Sequence, residues 1–497
     1  MRECGMLLPV ASLPSRYGIG AFSKEAYDFI DTLKAAGQSF WQILPLGPTG
    51  FGDSPYQSFS AFAGNPYFID LDMLIEEGLL TKEFVDSKRW NIEDQYVDYG
   101  LVYNSRFEVL RVAYENSNHK ELDEYKEFFT ENEFWLEDYS LYRACKDKYE
   151  GRPWSEWDKE IKFREAETVG AFKEELKDDM DFYKFIQFKF NEQWCKLKEY
   201  ANENGILIIG DIPIYVAMDS ADVWQNTGMF QLDEELNPKK VAGVPPFSDL
   251  GQRWGNPLYD WDKMEADDFS WWRKRMEHSA KIYDVIRIDH FIGTVKYYAI
   301  PAEDSDARNG QWQKGPGLKL INAINESIGD KHIIAEDLGI KMPEVVEVLE
   351  KSGYPGMKVL EFAFDSRDTG SASDYLPHNY SVNSVAYTGT HDNETLVSWY
   401  QTITAAERAM VRDYLYDYAT PEEQLYKSMI ALVLRSAAAT CIIPMQDWLG
   451  LDNSARINKP STVGENWRWR LKKTQLTKKL QKEICRMTTR YGRMNWE

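Results

Sequence analysis

Cysteine is scarce and scattered. The 497-residue chain has five, Cys4, Cys145, Cys195, Cys441 and Cys485, far apart and never in a CxxC pair. That excludes a disulfide framework and a cysteine zinc site, and it predicts a reducing, cytoplasmic setting. Positive charge is also short. Lys plus Arg number 58 against 80 Asp plus Glu, a formal net charge of −22. Such a surface repels phosphates, so neither nucleic acid nor an anionic membrane is an expected partner. The one apolar run near the N-terminus, Gly5 to Ala11, is interrupted by Pro9. It is too short to span a bilayer and lacks a small-residue cleavage site, and it reads as a first strand. There is no Gly-rich phosphate loop, no HExxH, no GxSxG, and Asp70-x-Asp72 lacks the rest of a calcium loop. No cofactor and no metal are therefore expected.

What is present is acidic and aromatic. Aromatic residues make up 14% of the chain, with 17 Trp and 29 Tyr. Many lie in polar, Gly/Pro-rich segments, where amphipathic rings suit stacking on sugar faces. Three segments carry the chemistry: Val285-Ile286-Arg287-Ile288-Asp289-His290, Ile333-Ile334-Ala335-Glu336-Asp337-Leu338-Gly339 and Thr388-Gly389-Thr390-His391-Asp392-Asn393. In each, a β-prone run ends on a carboxylate. The intervals between them hold a strand, a helix and loops, the spacing by which a (β/α)8 TIM barrel assembles a site.

Eight strands are expected: Met6 to Pro9, Ser39 to Leu44, Ile206 to Gly210, Asp284 to Asp289, His332 to Glu336, Met357 to Phe362, Ser384 to Thr388 and Thr440 to Pro444. Most are short apolar runs without alternation, as strands buried on both faces read. The expectation is one catalytic barrel unit over residues 1–497, with large insertions after strands 2 and 3. Residues 65–189 read as a mostly helical insertion. Residues 212–283 hold a second, in which Val241 to Phe247 and Gly251 to Pro257 read as loop chemistry over the site.

Residues two apart on a strand share a face, so Arg287 and Asp289 point the same way, and the guanidinium keeps the carboxylate ionised. Glu336 follows an apolar run, which suits a protonated general acid, while Asp337 is placed to bind the turn at Gly339. Asp392 reads as a third carboxylate or as the cap of the next helix. His391 and His290 stand beside the carboxylates as hydroxyl ligands.

Further segments extend the pattern across the chain: Ala11-Ser12-Leu13-Pro14-Ser15, Leu44-Pro45-Leu46-Gly47-Pro48, Gly52-Asp53-Ser54-Pro55-Tyr56-Gln57-Ser58, Gly210-Asp211-Ile212-Pro213-Ile214-Tyr215, Gly251-Gln252-Arg253-Trp254-Gly255-Asn256-Pro257, Asn458 and Asn466-Trp467-Arg468-Trp469-Arg470. In this order they resemble the 4-alpha-glucanotransferases of glycoside hydrolase family 77. The family more often follows the equivalent of Asn458 with a Pro-Gly-Thr pattern, where this chain has Lys459-Pro460-Ser461-Thr462. The resemblance implies a retaining transfer of alpha-1,4-glucan segments to a glucan or glucose acceptor, with Asp289 as nucleophile, Glu336 as acid and base and Asp392 as transition-state stabiliser. It implies contacts to the cleaved sugar from Asp211, Arg287, His290, His391 and Asn458, a platform at Tyr56 and a lid residue at Trp254. A monomer or weak homo-oligomer is expected.

Overall fold

The computed structural model describes residues 2–50, 52–246, 250–366 and 372–495. Its strands are β1 (Glu3–Leu7), β2 (Phe40–Gln42), β3 (Leu207–Pro213), β4 (Lys240–Val244), β5 (Gln252–Pro257), β6 (Val285–Asp289), β7 (Lys296–Pro301), β8 (Gln311–Lys314), β9 (His332–Ala335), β10 (Gly356–Val359), β11 (Ser384–Tyr387) and β12 (Thr440–Pro444). Eight of them close into a barrel in the order β1-β12-β11-β10-β9-β6-β3-β2. All its pairings are parallel. Each barrel strand lies beside its successor in the chain, so the barrel is singly wound, as a (β/α)8 fold requires.

Period-two alternation sorts the strand residues into two cores. Leu7, Phe40, Ile209, Val285, Ile334, Met357, Val359, Val385, Tyr387 and Ile442 fill the barrel interior. The alternate residues, such as Ile208, Ile286, Ile288, Ile333 and Ala335, join the larger core under the helices. Both faces are thus buried, which is why the strands read as unbroken apolar runs. Gly210 on β3 makes room for a neighbour: a Cβ there would lie 2.1 Å from the Tyr283 ring.

Between β2 and β3 the chain is helical, with long helices over Tyr99–Glu115, Asp123–Lys148 and Lys177–Glu203. The third runs past residue 189 and leads into β3. It is tied to the segment that leaves the barrel by two glutamines. Gln187 bonds both the N–H and the carbonyl of Gly64, and Gln193 does the same at Asp70.

One sequence expectation is corrected here. Val241 to Val244 and Gln252 to Pro257 are strands, not loop. They pair as a hairpin within a four-stranded antiparallel sheet, β5-β4-β7-β8. On its other side β4 pairs with β7, some 55 residues on in the chain, a partner that local composition does not disclose. Phe247 lies outside the described residues. Among those residues, no helix is long and apolar enough to cross a membrane.

Candidate active site

Strand parity and register bring the polar residues together. On β3, Ile209 faces the barrel interior and Asp211 follows it two residues on. On β6 the same step leads from Val285 to Arg287 and then Asp289. On β9 it leads from Ile334 to Glu336, just past the strand end. Asp211 is the register partner of Arg287, and Ile288 that of Ala335, so Asp289 and Glu336 are adjacent. Asp337 has the opposite parity. Its Oδ1 accepts from Met357 N at 2.8 Å. The turn before Gly339 is bound instead by Glu336, whose Oε1 accepts from Leu338 N at 3.0 Å, which corrects the role expected for Asp337.

Charge is distributed unevenly over this cluster. Arg287 Nη1 donates to Asp211 Oδ1 at 2.7 Å, to Asp211 Oδ2 at 2.6 Å and to Asp289 Oδ1 at 3.0 Å. The Asp211 side chain is 0% exposed and that of Asp289 27%, so of the two carboxylates on this guanidinium only Asp289 is open to an incoming molecule. Burial pushes the Asp211 carboxyl up, opposed by Arg287. Glu336 is buried too, with His290 N donating to its Oε2 at 2.7 Å. Burial, then the neighbouring Asp289 charge, raise its pKa to about 8. At neutral pH the site therefore holds a proton on Glu336 beside the Arg287-paired Asp289.

His290 has a left-handed backbone, φ 53°. That turn aims its N–H at Glu336. Burial lowers its pKa to about 4, so the ring is neutral, and its Nε2 is buried with no protein partner. The Trp254 ring, on β5, meets it edge-on with centroids 4.8 Å apart. Across the mouth, Tyr56 stacks on His391 at 5.1 Å and donates its hydroxyl to Asp211 Oδ2 at 2.8 Å. His391 Nε2 lies 3.3 Å from Asp392 Oδ1, and the same oxygen accepts from Asn458 Nδ2 at 2.6 Å. Asp392 does not cap a helix; the following helix, Leu396–Thr402, begins after Thr395. The structure thus brings together all ten residues singled out from the sequence.

Residues not singled out hold the loop that carries His391 and Asp392. Asp447, fully buried past β12, accepts from the Thr388 hydroxyl at 2.5 Å and from Leu396 N at 2.8 Å, so it ties both ends of the loop. Asn453 Oδ1 accepts from Thr395 N, and Arg456 donates to the Asp392 carbonyl. Glu361, buried past β10, lies under Gly389. Glu361 follows the strand-end residues Val359-Leu360, the signal that marks Asp289 and Glu336, whereas Gln446 separates Asp447 from the apolar end of β12. Arg456 and Asn453 carry no such mark. Among the described residues, no group of three or more His, Cys, Asp or Glu is placed to hold a metal ion.

Comparison with known proteins places this arrangement. The family model described as 4-alpha-glucanotransferase, glycoside hydrolase family 77, matches residues 8–477. The 4-alpha-glucanotransferase of Clostridium butyricum is 49% identical over 487 residues, covering 97% of this chain and 99% of that one. That of Thermus thermophilus is 45% identical over 95% of each. Among solved structures, the amylomaltase of Streptococcus agalactiae in complex with acarbose superposes with a TM-score of 0.95 at 40% identity, covering 100% of both chains. The chain belongs to glycoside hydrolase family 77, the 4-alpha-glucanotransferases.

Proposed function

We propose that the protein moves alpha-1,4-glucan segments by a retaining double displacement through a glucosyl-enzyme on Asp289. The observation that carries this reading is the contrast between two adjacent strand-end carboxyls. Asp289 is accessible and ion-paired with Arg287 at 3.0 Å, while Glu336 is held protonated by burial. In the first step Asp289 attacks the anomeric carbon. The C–O bond to the leaving glucan breaks, and Glu336 gives its proton to that oxygen. In the second, Glu336 takes the proton of an acceptor 4-hydroxyl, whose oxygen forms the new bond as the Asp289 ester breaks.

The surrounding residues suit a neutral, hydroxyl-rich substrate. Asp392 has an Asn458 donor on one oxygen and His391 beside it, which fits a carboxylate that grips two sugar hydroxyls. The unpartnered Nε2 of neutral His290 offers a further hydroxyl contact. Tyr56 provides a ring under the sugar, and Trp254 covers it from the β4–β5 hairpin. The substrates we propose are maltooligosaccharides as donors, with other alpha-1,4-glucans or glucose as acceptors, in the turnover of starch or glycogen. The five free thiols suit a cytoplasmic setting.

Incubation with maltotriose tests the reaction. Transfer yields glucose and a ladder of longer maltooligosaccharides while total reducing ends stay constant. A rise in reducing ends without longer products would mean hydrolysis.

A further inference from the structure

Glu361 ends the run Met357-Lys358-Val359-Leu360 on β10, two residues beyond the interior-facing Val359. It stands in the short turn just past the end of β10, beyond the level at which the barrel strands present Asp211, Asp289 and Glu336. Its carboxyl does not open to the mouth. The residue is 7% exposed, and its Oε1 is buried with no hydrogen-bond partner. What it meets is the loop of residues 388–395. Glu361 N donates to the Thr388 carbonyl at 3.3 Å, and a Cβ added to Gly389 would lie 2.8 Å from Glu361 Oε1. Glycine there allows the carboxyl to press directly on the backbone two residues before His391 and three before Asp392.

The groups that face it are mostly acidic. Asp447 lies on the helix after β12 and Glu394 on the loop itself, while Arg456 and the Asn393 side chain act against them. Asn453 already takes Glu394 by its Oε1, and the backbone at Leu396 takes Asp447. A carboxylate anion with an oxygen orphaned beside two other acids is strongly disfavoured; the neutral acid is not.

We infer that Glu361 is a positioning residue for the transfer reaction: packed under Gly389 as an uncharged carboxyl, it sets the height of the 388–395 loop and so the placement of Asp392 against the sugar. The inference rests on the proposed role of Asp392. Burial, with Asp447 and Glu394 adding to it, raises the Glu361 pKa well above the usual range, while Asp447, which has its own donors, stays near 6. The cluster ionises at Asp447 first and leaves the proton on Glu361.

The test compares E361Q, E361L, G389A and D392N on maltotriose, with Tm measured for each. Gln keeps the shape and the uncharged state, so E361Q should hold kcat within about threefold of the parent, whereas E361L and G389A should lower kcat by about 10- to 100-fold with donor KM changed far less. The sign of the pH effect is fixed as well. The unfolded chain ionises Glu361 near its ordinary value while the folded chain keeps the proton, so the parent loses stability relative to E361Q as pH rises from about 5 to 8. The Tm of E361Q minus that of the parent should grow over that range. A constant difference overturns the uncharged state. Parental kcat in G389A, or in a folded E361L, overturns the positioning role, and G389A decides the matter if E361L does not fold. Near-normal kcat in D392N would instead unseat the role given to Asp392, whatever the other variants do.

Discussion

At the scale of single residues, the proposed reaction depends on two adjacent carboxyls in different surroundings, Asp289 partly exposed beside Arg287 and Glu336 buried. On the proposed mechanism Asp289→Asn removes the nucleophile and Glu336→Gln the proton donor. Each should lower kcat on maltotriose by on the order of a thousandfold or more with Tm little changed. Near-normal turnover in either variant would refute the assignment. Glu336 also sets a pH limit. If Glu336 is the acid of donor cleavage, as proposed, its active form is lost as pH passes its raised pKa of about 8. The rate of the first step should therefore fall above pH 8. A limb that falls near the ordinary glutamate value would mean that Glu336 is ionised when it acts. These residues were legible because parity is a local rule: residues 285, 287 and 289 share a face, as do 334 and 336. Asp337 shows the limit of that rule. Its opposite parity was legible from its place beside Glu336, but not that Met357 on the next strand supplies its donor.

At the scale of elements, the eight barrel strands were legible because burial on both faces leaves an unmistakable apolar run. The second sheet was not. Gly243, Pro245 and Pro246 mark β4 as a turn region, and Gln311–Lys314 has a single apolar residue, Trp312, yet both become strands by pairing with β7. The correction matters for the part played by Trp254. It sits on a paired strand with its ring against His290, so the cover proposed for it comes from a braced hairpin and not from a free loop. In the proposed reaction water and acceptor compete for the sugar carried by Asp289, and an apolar ring over the site would disfavour disordered water. Trp254→Ala should raise the ratio of hydrolysis to transfer more than it lowers donor cleavage. Free glucose and total reducing ends on maltotriose measure both quantities, and an unchanged ratio removes Trp254 from this role.

At the scale of the whole molecule, chemistry and surface charge are separable. The reaction as proposed uses side chains alone, so dialysis against a chelator should leave activity unchanged. Activity restored only by added calcium or zinc would reveal a ligand set not recognised among these residues. The net charge of −22 acts elsewhere. A glucan is uncharged, so the acidic surface neither steers it in nor holds it off, and the Arg287–Asp211 pair is too buried for salt to screen strongly. Folding is different, because a surplus of like charge on a compact body repels itself. Raising sodium chloride from about 20 to 500 mM shortens the screening length from roughly 20 Å to about 4 Å, which relieves that repulsion. Tm should rise across the series while kcat/KM for maltotriose stays within about twofold. A fall in kcat/KM of about tenfold, the pattern of an electrostatically steered encounter, would mean that the true substrate carries charge.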